Sequence, residues 1–442
     1  MLYTILNLVV RGALKIFFRK IRIEGKEHIP SNGSVIVVAN HPNTFMDPIL
    51  ATLVMLPKQV HFLANGSIFK TAIARLVLSQ LNTIPIYRQQ DKTDNRQQQN
   101  EKAFQKCFDF LASKGILLIF PEGNSINERN LRPLKTGTAR IALGAEHQNN
   151  FELALSILPI GLNYSKPTHF REEVVINIGK PFDSKLYRQQ YREDPVAAVN
   201  ELTSEIQQRL SSLIVVTESR QEDDLVRKIE TLYKKKISLS IKENNLDVNL
   251  TQNIVKAVNY FRDHNPILVR EIKEKIDNYF QTIQEFNMTD YLIEKSERIR
   301  SEKIFRYILY FVTGFPLYIA GLIFNYTPYS VPSKIANWIS KDEEYRAPIM
   351  MTAGIVTFPI YYALMYALGW HFFPTPFVIL GLTIVMPFSG FFVLTYYKRF
   401  RNLKGTFVYH RIFKKEKSTL DWFTQQRQEI INLLEGARQQ YQ

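Results

Sequence analysis

The sequence has 442 residues, a formal net charge of +15 and a pI of about 9.5. An apolar content of 45% excludes a disordered chain, and the length allows more than one ordinary domain. The charge suits nucleic acid, an anionic membrane surface or acidic substrates, but no zinc-finger, RNP or P-loop pattern occurs and long uncharged runs favour the membrane. The single cysteine, Cys107, excludes an internal disulfide and argues against a cysteine metal site.

Residues 1–24 predict an amphipathic helix at a membrane surface. The segment is apolar up to residue 18 but is interrupted by Arg11 and Lys15. Basic residues four positions apart on an otherwise apolar helix are typical of an interfacial anchor. A helix packed on the following domain is the alternative, and the two interpretations are compatible. The segment lacks the basic leader and the small-residue cleavage site of a signal peptide.

Residues 25–186 predict an α/β domain in which a central sheet is covered by helices. The apolar runs that indicate strands are Ser34–Ala39, Val60–Ala64, Ile84–Tyr87, Ile116–Phe120, Leu155–Leu162 and Val174–Ile178. The patterns that indicate helices are Pro48–Leu56, Ile68–Leu81, Asn100–Lys114 and Gly137–Glu146. The polar residues 89–99 are expected to form an exposed loop. In such a domain the active-site turns gather at the carboxyl ends of the strands.

The turn after the first of these strands contains His41 and Asp47. Asp47 precedes Pro48 and so occupies the N-cap position of a helix that begins with proline. A strand-to-helix turn can bring the two side chains together, whereas six residues of continuous helix, at about 100° each, would place them on different faces. A carboxylate on one ring nitrogen leaves the other to take a proton from a hydroxyl. In the structural alternative, Asp47 only caps the helix and His41 only bonds a backbone carbonyl.

A second turn follows the strand at 116–120 and has the sequence Phe120–Pro121–Glu122–Gly123. It places a carboxylate at the end of another buried strand. Because both turns follow strands of the same sheet, His41 and Glu122 are expected at the same edge.

The composition changes after residue 186. Residues 187–303 are charged and almost free of glycine, which predicts a solvated helical region. Residues 304–400 predict a membrane region, since no Asp, Glu, Lys or Arg occurs between residues 347 and 397. Residues 401–442 predict a cytosolic tail with an amphipathic helix.

Two runs in the apolar region, residues 349–370 and 377–397, are each long enough to span about 30 Å of hydrocarbon. Basic residues flank the pair, so we expect a transmembrane hairpin with both ends in the cytosol. A third run, residues 307–324, is shorter and is broken by Gly314 and Pro316. Its flanks are basic on both sides, which favours a re-entrant or interfacial segment over a full span.

Four blocks in a fixed order give the sequence a resemblance to a known family. They are His41 with Asp47, Ile84–Arg88, Phe120–Gly123 and Leu158–Gly161. With these blocks the chain resembles the glycerolphosphate acyltransferase superfamily, which includes glycerol-3-phosphate and lysophosphatidate acyltransferases. The resemblance implies the fold of that superfamily for the α/β domain.

Two departures from the family pattern bear on the acceptor. Five residues separate His41 from Asp47 where the family usually has four, and Asn124–Ser125 replaces the common Thr-Arg. Both features are more similar to the glycerol-3-phosphate and dihydroxyacetone-phosphate acyltransferases of the yeast type.

The resemblance implies a membrane-bound O-acyltransferase of glycerophospholipid synthesis, with its catalytic domain on the cytoplasmic face. His41 would be the general base, and Asp47 would orient it. The residues expected to bind substrate are Arg88, Glu122, Gly123, Ser125, Arg129 and Lys135. Arg88, Arg129 and Lys135 would serve the phosphate, and the Gly123 turn could offer N–H groups to the oxyanion. For Glu122 the alternative is a carboxylate that only shapes the turn.

The implied donor is an acyl-CoA or acyl carrier protein thioester. The implied acceptor is glycerol-3-phosphate or dihydroxyacetone phosphate, with lysophosphatidate as the alternative. Membrane lipids are expected partners, whereas a cofactor, a metal and nucleic acid are not expected. A non-catalytic lipid-binding scaffold of the same fold is a second alternative.

Overall fold

The computed structural model describes residues 2–66, 82–87, 95–238, 248–286, 288–290, 293, 301–415 and 417–441. The chain divides into two compact units. The first unit consists of Met1–Glu218, Asn245–Val248 and Ala336–Met351. The second unit consists of Ser219–Asn244, Asn249–Ile335 and Thr352–Gln442.

The first unit contains an eight-stranded sheet. Its strands are β1 (Lys20–Glu24), β2 (Val35–Ala39), β3 (Val60–Asn65), β4 (Thr83–Ile86), β5 (Ile116–Ile119), β6 (Ser156–Tyr164), β7 (Glu173–Ile178) and β8 (Phe182–Asp183). The order is β1-β7-β6-β2-β5-β3-β4, and β8 pairs with β6. The pairs β6–β7 and β6–β8 are antiparallel, whereas the other five pairs are parallel.

Helices cover both faces of this sheet. They are α1 (Leu2–Phe17), α2 (Met46–Met55), α3 (Arg96–Ala112), α4 (Gly137–Gln148), α5 (Arg188–Glu193) and α6 (Pro195–Leu213). Alternate residues of β2 enter opposite cores: Val35 and Val37 pack with α1 and α2, whereas Ile36 and Val38 pack with α3, α4 and α6. This period of two is that of a central strand buried on both sides. The predicted α/β class, a sheet covered by helices, is confirmed.

The second unit is helical. Its elements include α7 (Arg220–Ser238), α8 (Val248–His264), α9 (Pro266–Glu285) and α13 (Lys417–Tyr441), together with most of α10 (Ser301–Ile339), α11 (Arg346–Phe372) and α12 (Pro376–Lys415). Residues of α7, α9 and α13 share a hydrophobic core in which Ile276 and Phe423 are fully buried. Three stretches are long and apolar enough to cross a membrane: Arg306–Ile339, Glu343–Phe372 and Pro376–Arg401.

Several boundaries differ from the sequence prediction. Residues 20–24 form β1, so the N-terminal helix ends at Phe17 and does not extend to residue 24. Lys20–Glu24 alternates charged and apolar residues, and its Ile21 and Ile23 pack on the sheet core. The predicted helix 68–81 lies outside the described residues. So does most of the predicted loop 89–99, and α3 already begins at Arg96.

The third apolar run is longer than expected. The helix α10 is continuous over 39 residues and contains Pro316, Pro328 and Pro332. Pro332 has no N–H for the carbonyl of Pro328, and the Thr357 hydroxyl donates to that carbonyl instead, at 3.2 Å. A neighbouring helix thus satisfies a group that proline leaves without its usual partner, which allows the helix to continue.

Candidate active site

The carboxyl end of β2 carries His41 into the turn before α2. His41 Nδ1 lies 2.9 Å from Oδ2 of Asp47. The Asp47 carboxylate is fully buried, and the histidine side chain is 15% exposed. Because Nδ1 faces the carboxylate, Nε2 is the nitrogen that can accept a proton from a substrate. The imidazole ring also stacks on Phe120, with ring centroids 4.1 Å apart.

Asp47 does not cap α2. The helix begins at Met46, and its N-cap residue is Phe45. The Asn43 carbonyl accepts hydrogen bonds from the N–H groups of Met46 and Asp47, so the helical turn starts before Pro48. The N-cap position expected for Asp47 was therefore wrong. Its side chain instead lies within the first turn and contacts His41.

Two further donors contact the Asp47 carboxylate. The Asn43 N–H donates to Oδ2 at 2.7 Å, and the Tyr164 hydroxyl donates to Oδ1. Burial, and then the charge of Asp47, raise the pKa of Tyr164 well above its ordinary value. Tyr164 therefore stays protonated and remains a donor throughout the physiological range. With three donors around it, the buried carboxylate has the partners that burial of a charge requires.

The turns at 40–47 and 120–126 are joined by several hydrogen bonds. The His41 N–H donates to Glu122 Oε1 at 2.8 Å, and the His41 carbonyl accepts from the N–H of Ile126 at 3.3 Å. The Thr44 N–H donates to the Ser125 hydroxyl at 2.7 Å. The Thr44 hydroxyl also donates to the Ser125 hydroxyl at 3.2 Å, and together these bonds fix the histidine backbone relative to the second turn.

Glu122 is buried, and both of its carboxylate oxygens face backbone N–H groups. Oε1 accepts from His41, and Oε2 accepts from Arg132 at 3.4 Å. Burial raises the pKa of Glu122, opposed by these two hydrogen bonds and by the charge of Arg132. The contacts favour the alternative in which Glu122 shapes the turn over direct binding of an acceptor hydroxyl.

Gly123 adopts a left-handed conformation, with φ of +76°. Its N–H donates to the Phe120 carbonyl at 3.1 Å, so this N–H closes the turn. A Cβ on Gly123 would lie 3.5 Å from Cγ of Lys135. The Lys135 side chain therefore passes beside the turn that carries Glu122.

The remaining predicted ligands differ in their placement. The carbonyl of Arg129 accepts hydrogen bonds from the N–H and the hydroxyl of Thr217, which anchors the backbone of that arginine. Arg88 lies outside the described residues. The structure thus joins His41, Asp47, Glu122 and Ser125 by hydrogen bonds. Lys135 lies beside Gly123, and the backbone carbonyl of Arg129 bonds to Thr217.

The sequence did not indicate Tyr164, Asn40 or Phe120 as site residues. The Asn40 side chain bonds both the N–H and the carbonyl of Leu162, which extends the β2–β6 pairing toward the turn. Tyr164 lies two residues further along β6. A tyrosine at the end of the strand that contains Leu158–Gly161 was the available signal, but its use requires knowing that β6 neighbours β2.

Among the described residues no group of three His, Cys, Asp or Glu side chains is arranged to hold a metal ion. The chemistry available at this site is that of a histidine base backed by a carboxylate.

Part of the chain is similar to a known protein family. Residues 20–163 match the Acyltransferase family model. We refer to this matched region as the acyltransferase domain. The matched region includes His41, Asp47, Glu122 and Ser125, whereas Tyr164 is the first residue beyond it.

Curated relatives are similar over part of this chain. Glycerol-3-phosphate O-acyltransferase 1 of Saccharomyces cerevisiae is 28% identical over 200 residues, which are 44% of this chain and 25% of the yeast protein. The chloroplastic 1-acyl-sn-glycerol-3-phosphate acyltransferase LPAT1 of Arabidopsis thaliana is 29% identical over 125 residues, 28% of this chain and 33% of the plant protein. The chain thus spans about a third or less of the length of these curated relatives.

A crystal structure of the 1-acyl-sn-glycerophosphate (LPA) acyltransferase PlsC from Thermotoga maritima aligns with 46% of this chain and 77% of its own chain, with a TM-score of 0.32 and 20% identity.

Proposed function

We propose that this chain is a membrane-bound acyltransferase that transfers a fatty acyl group from an acyl thioester to glycerol-3-phosphate or dihydroxyacetone phosphate. The observation that carries the proposal is the 2.9 Å contact between His41 Nδ1 and the buried Asp47 carboxylate. The acyltransferase domain supplies the reaction class. Similarity to the yeast glycerol-3-phosphate O-acyltransferase supports a three-carbon phosphate as the acceptor.

In the proposed reaction His41 is the general base. Its Nε2 takes the proton of a glycerol hydroxyl while the hydroxyl oxygen attacks the thioester carbonyl carbon. The C–S bond then breaks, and the imidazolium returns the proton to the leaving thiolate. Asp47 holds the ring with Nδ1 toward the carboxylate and stabilises the imidazolium. Positioned base catalysis contributes about 10²–10⁴-fold, so alignment of the two substrates and stabilisation of the oxyanion must supply the rest.

The phosphate of the acceptor requires cationic side chains near the histidine. Among the described residues, Lys135 is the phosphate ligand that the geometry favours, because its side chain passes beside the Gly123 turn. Arg129 and Arg88 remain proposed phosphate ligands from the family pattern. The backbone of Arg132 already contacts Glu122, which makes its guanidinium a further cation at the same turn.

The three long apolar helices support a membrane location, and the donor is an acyl-CoA or acyl carrier protein thioester. Basic residues at Arg346 and Lys398–Arg401 flank the α11–α12 hairpin, which favours the cytosol for both of its ends. The acyltransferase domain is therefore proposed to face the cytoplasm.

The proposal is tested on the purified full chain with labelled acyl-CoA and glycerol-3-phosphate. His41→Ala should lower the transfer rate about 10²–10⁴-fold, because it removes the base. His147→Ala, an exposed histidine in α4, is the matched control and should keep full activity. Equal transfer by His41→Ala and the unaltered chain would refute the enzyme proposal and leave the lipid-binding scaffold.

A second candidate acceptor is lysophosphatidate, which the similarity to the plant 1-acylglycerol-3-phosphate acyltransferase favours. The same assay with both acceptors and both donor types separates the two. Transfer to lysophosphatidate with none to glycerol-3-phosphate or dihydroxyacetone phosphate would replace the first acceptor by the second.

A further inference from the structure

Three helices of this chain are long and apolar enough to cross a bilayer. If all three crossed, the protein before α10 and the protein after α12 would lie on opposite sides of the membrane. The packing of α13 within the second unit is the first observation that contradicts three crossings of the bilayer.

The helix α13 shares a core with elements that precede α10. Arg427 of α13 lies 2.8 Å from Asp290, and these side chains are 14% and 5% exposed. Asp290 also accepts from the Tyr279 hydroxyl of α9, and Phe423 of α13 is buried in the same cluster as Ile276. Residues before α10 and after α12 therefore occupy one aqueous compartment. The chain must cross the membrane an even number of times between residues 293 and 417.

The two ends of α10 give the second observation. The segment just after α10 contacts the acyltransferase domain: Glu343 accepts from Asn127 at 3.4 Å, and the rings of Tyr345 and Phe45 are 6.4 Å apart. Ala347, at the start of α11, is fully buried in the core of that domain. Among the described residues before α10, no helix is both long enough and apolar enough to cross a membrane. The chain thus enters α10 and leaves it on the same side.

Contacts within the membrane region give the third observation. From Phe311 to Asn325 along α10, the partners on α12 run backwards from Tyr396 to Met386. The hydroxyl of Tyr361 on α11 donates to the Ile323 carbonyl, and Thr357, earlier on α11, donates to that of Pro328.

The helix α10 is therefore antiparallel to both of its neighbours. Tyr366 of α11 contacts Thr383 of α12, and Gly369, later on α11, lies beside the earlier Val378, so these two helices are also antiparallel to each other. Three upright helices cannot all be mutually antiparallel. Three helices can run against one another only if they are strongly inclined to each other, as when one helix lies across the open end of a hairpin whose arms diverge.

The length of α10 agrees with this arrangement. The apolar segment Arg306–Ile339 has 34 residues, or about 51 Å of helix at 1.5 Å per residue. The hydrocarbon core is about 30 Å thick, so an upright helix of this length would extend well beyond it. Large apolar side chains remain exposed along the helix, among them Val312, Tyr326 and Trp338 at 67%, 63% and 87%.

We infer that α10 does not cross the bilayer but lies within a single leaflet, on the side of the membrane where both of its ends lie, and that α11 and α12 make the two crossings. The partner of the exposed apolar surface of α10 is the acyl-chain region of that single leaflet. The basic residues Arg306, Lys341 and Lys398 then all lie on one side, as the positive-inside tendency favours. This inference takes the proposed membrane location as given but does not depend on the acceptor.

Cysteine labelling of the full chain in sealed vesicles tests the inference. Cys107 is replaced by serine, and single cysteines are introduced at Arg306, Lys341 and Thr375, with Lys114→Cys as the exposed reference on the acyltransferase domain. A membrane-impermeant maleimide should modify positions 114, 306 and 341 from one side and position 375 from the other. Transferase activity of each variant is measured to confirm that it folds.

The possible results are distinct. Labelling of positions 306 and 341 from opposite sides would overturn the inference, because α10 would then cross. Labelling of position 375 from the same side as position 341 would overturn the two crossings by α11 and α12. Extraction at alkaline pH tests separately whether the chain is inserted in the membrane. Release of the chain from the vesicles would refute the proposed membrane location.

Discussion

Three hydrogen bonds converge on the Asp47 carboxylate, and the bond from Tyr164 reaches Oδ1, the oxygen that His41 does not contact. Tyr164 therefore acts on the base through Asp47 and is a positioning residue. Burial keeps its hydroxyl protonated, so the bond persists wherever the enzyme is active.

Tyr164→Phe should lower kcat about tenfold or more while KM for both substrates stays nearly constant. A hydrogen bond to a charged group is worth about 1.5–3 kcal/mol, and its loss lets the carboxylate and the imidazole shift. Steady-state kinetics with labelled acyl-CoA measure the two constants. Tyr191→Phe in α5, which packs on His147 and Phe151, is the matched control. A Tyr164→Phe variant with full kcat would exclude a positioning role.

The pKa of Glu122 gives a pH-dependent prediction. Because burial raises this pKa above its value in the unfolded chain, folding favours proton uptake at Glu122. The contribution of this group to stability is full below the unfolded pKa and is lost as the pH rises through the folded pKa.

Glu122→Gln should lower Tm by a few degrees, since one backbone N–H of His41 or Arg132 would then face an amide N–H₂. The gap in Tm between the unaltered chain and the variant should narrow as the pH rises above the ordinary pKa of a glutamate side chain. Thermal unfolding in detergent measures it. The exposed Glu152→Gln is the control and should leave Tm unchanged at every pH. A difference in Tm that grows with rising pH would contradict this prediction. It would mean that the hydrogen bonds from the two backbone N–H groups lower the pKa of Glu122 more than burial raises it.

At the scale of elements, the turn that follows β5 depends on a left-handed glycine. Gly123→Ala should cost about 1–2 kcal/mol from its φ of +76° alone, because no atom lies closer than 3.5 Å to the added Cβ. Gly33 also has positive φ and open space around its Cβ position, but it precedes β2. Both substitutions should lower Tm similarly, whereas Gly123→Ala alone should reduce activity. Equal activity losses would show that general destabilisation is responsible.

Much of the sheet was predictable because its strands are buried on both faces. β2 and β5 are continuous apolar runs bounded by turns, and their bounds lie within a residue of those expected. β1 was missed because its alternating Lys20–Glu24 follows an apolar helix without a break. β8 has two residues, too few for any pattern.

The candidate site was predictable as far as local sequence determines it. His41 and Asp47 belong to one turn, so their spacing alone allowed contact. The placement of His41 and Glu122 at one sheet edge was predictable because both turns follow strands of the same sheet, and these strands are parallel neighbours. The hydrogen bonds that Glu122 and Ser125 accept from the first turn were not predicted. The start of α2 was misplaced because the Asn43 carbonyl, rather than the Asp47 side chain, begins the helical bonding. The contact between Tyr164 and Asp47 was not predictable, because it depends on β6 lying between β2 and β7 in the sheet. No local sequence pattern specifies which strands are neighbours.

At the scale of the whole molecule, the helix that follows the membrane hairpin packs with helices that precede it. The Arg427–Asp290 ion pair joins α13 to residues that precede α10, and Arg427 also donates to the carbonyl of Leu232 in α7. A second ion pair, Lys275–Glu429, links α9 to α13 at the surface, at 3.6 Å. The two pairs join neighbouring elements but differ in exposure, so they provide a matched comparison.

Asp290→Ala should destabilise the second unit by about 3–5 kcal/mol, because it leaves the Arg427 guanidinium buried and the Tyr279 hydroxyl without its acceptor. Glu429→Gln should cost about 0–1 kcal/mol, as expected for an exposed pair. The double variant Asp290→Asn with Arg427→Met should recover part of the loss, since no charge then stays buried alone. Limited proteolysis of α13 in the full chain, followed by mass spectrometry, measures its release. Equal protection of α13 in Asp290→Ala and Glu429→Gln would contradict a buried pair that holds the two ends of the membrane region together.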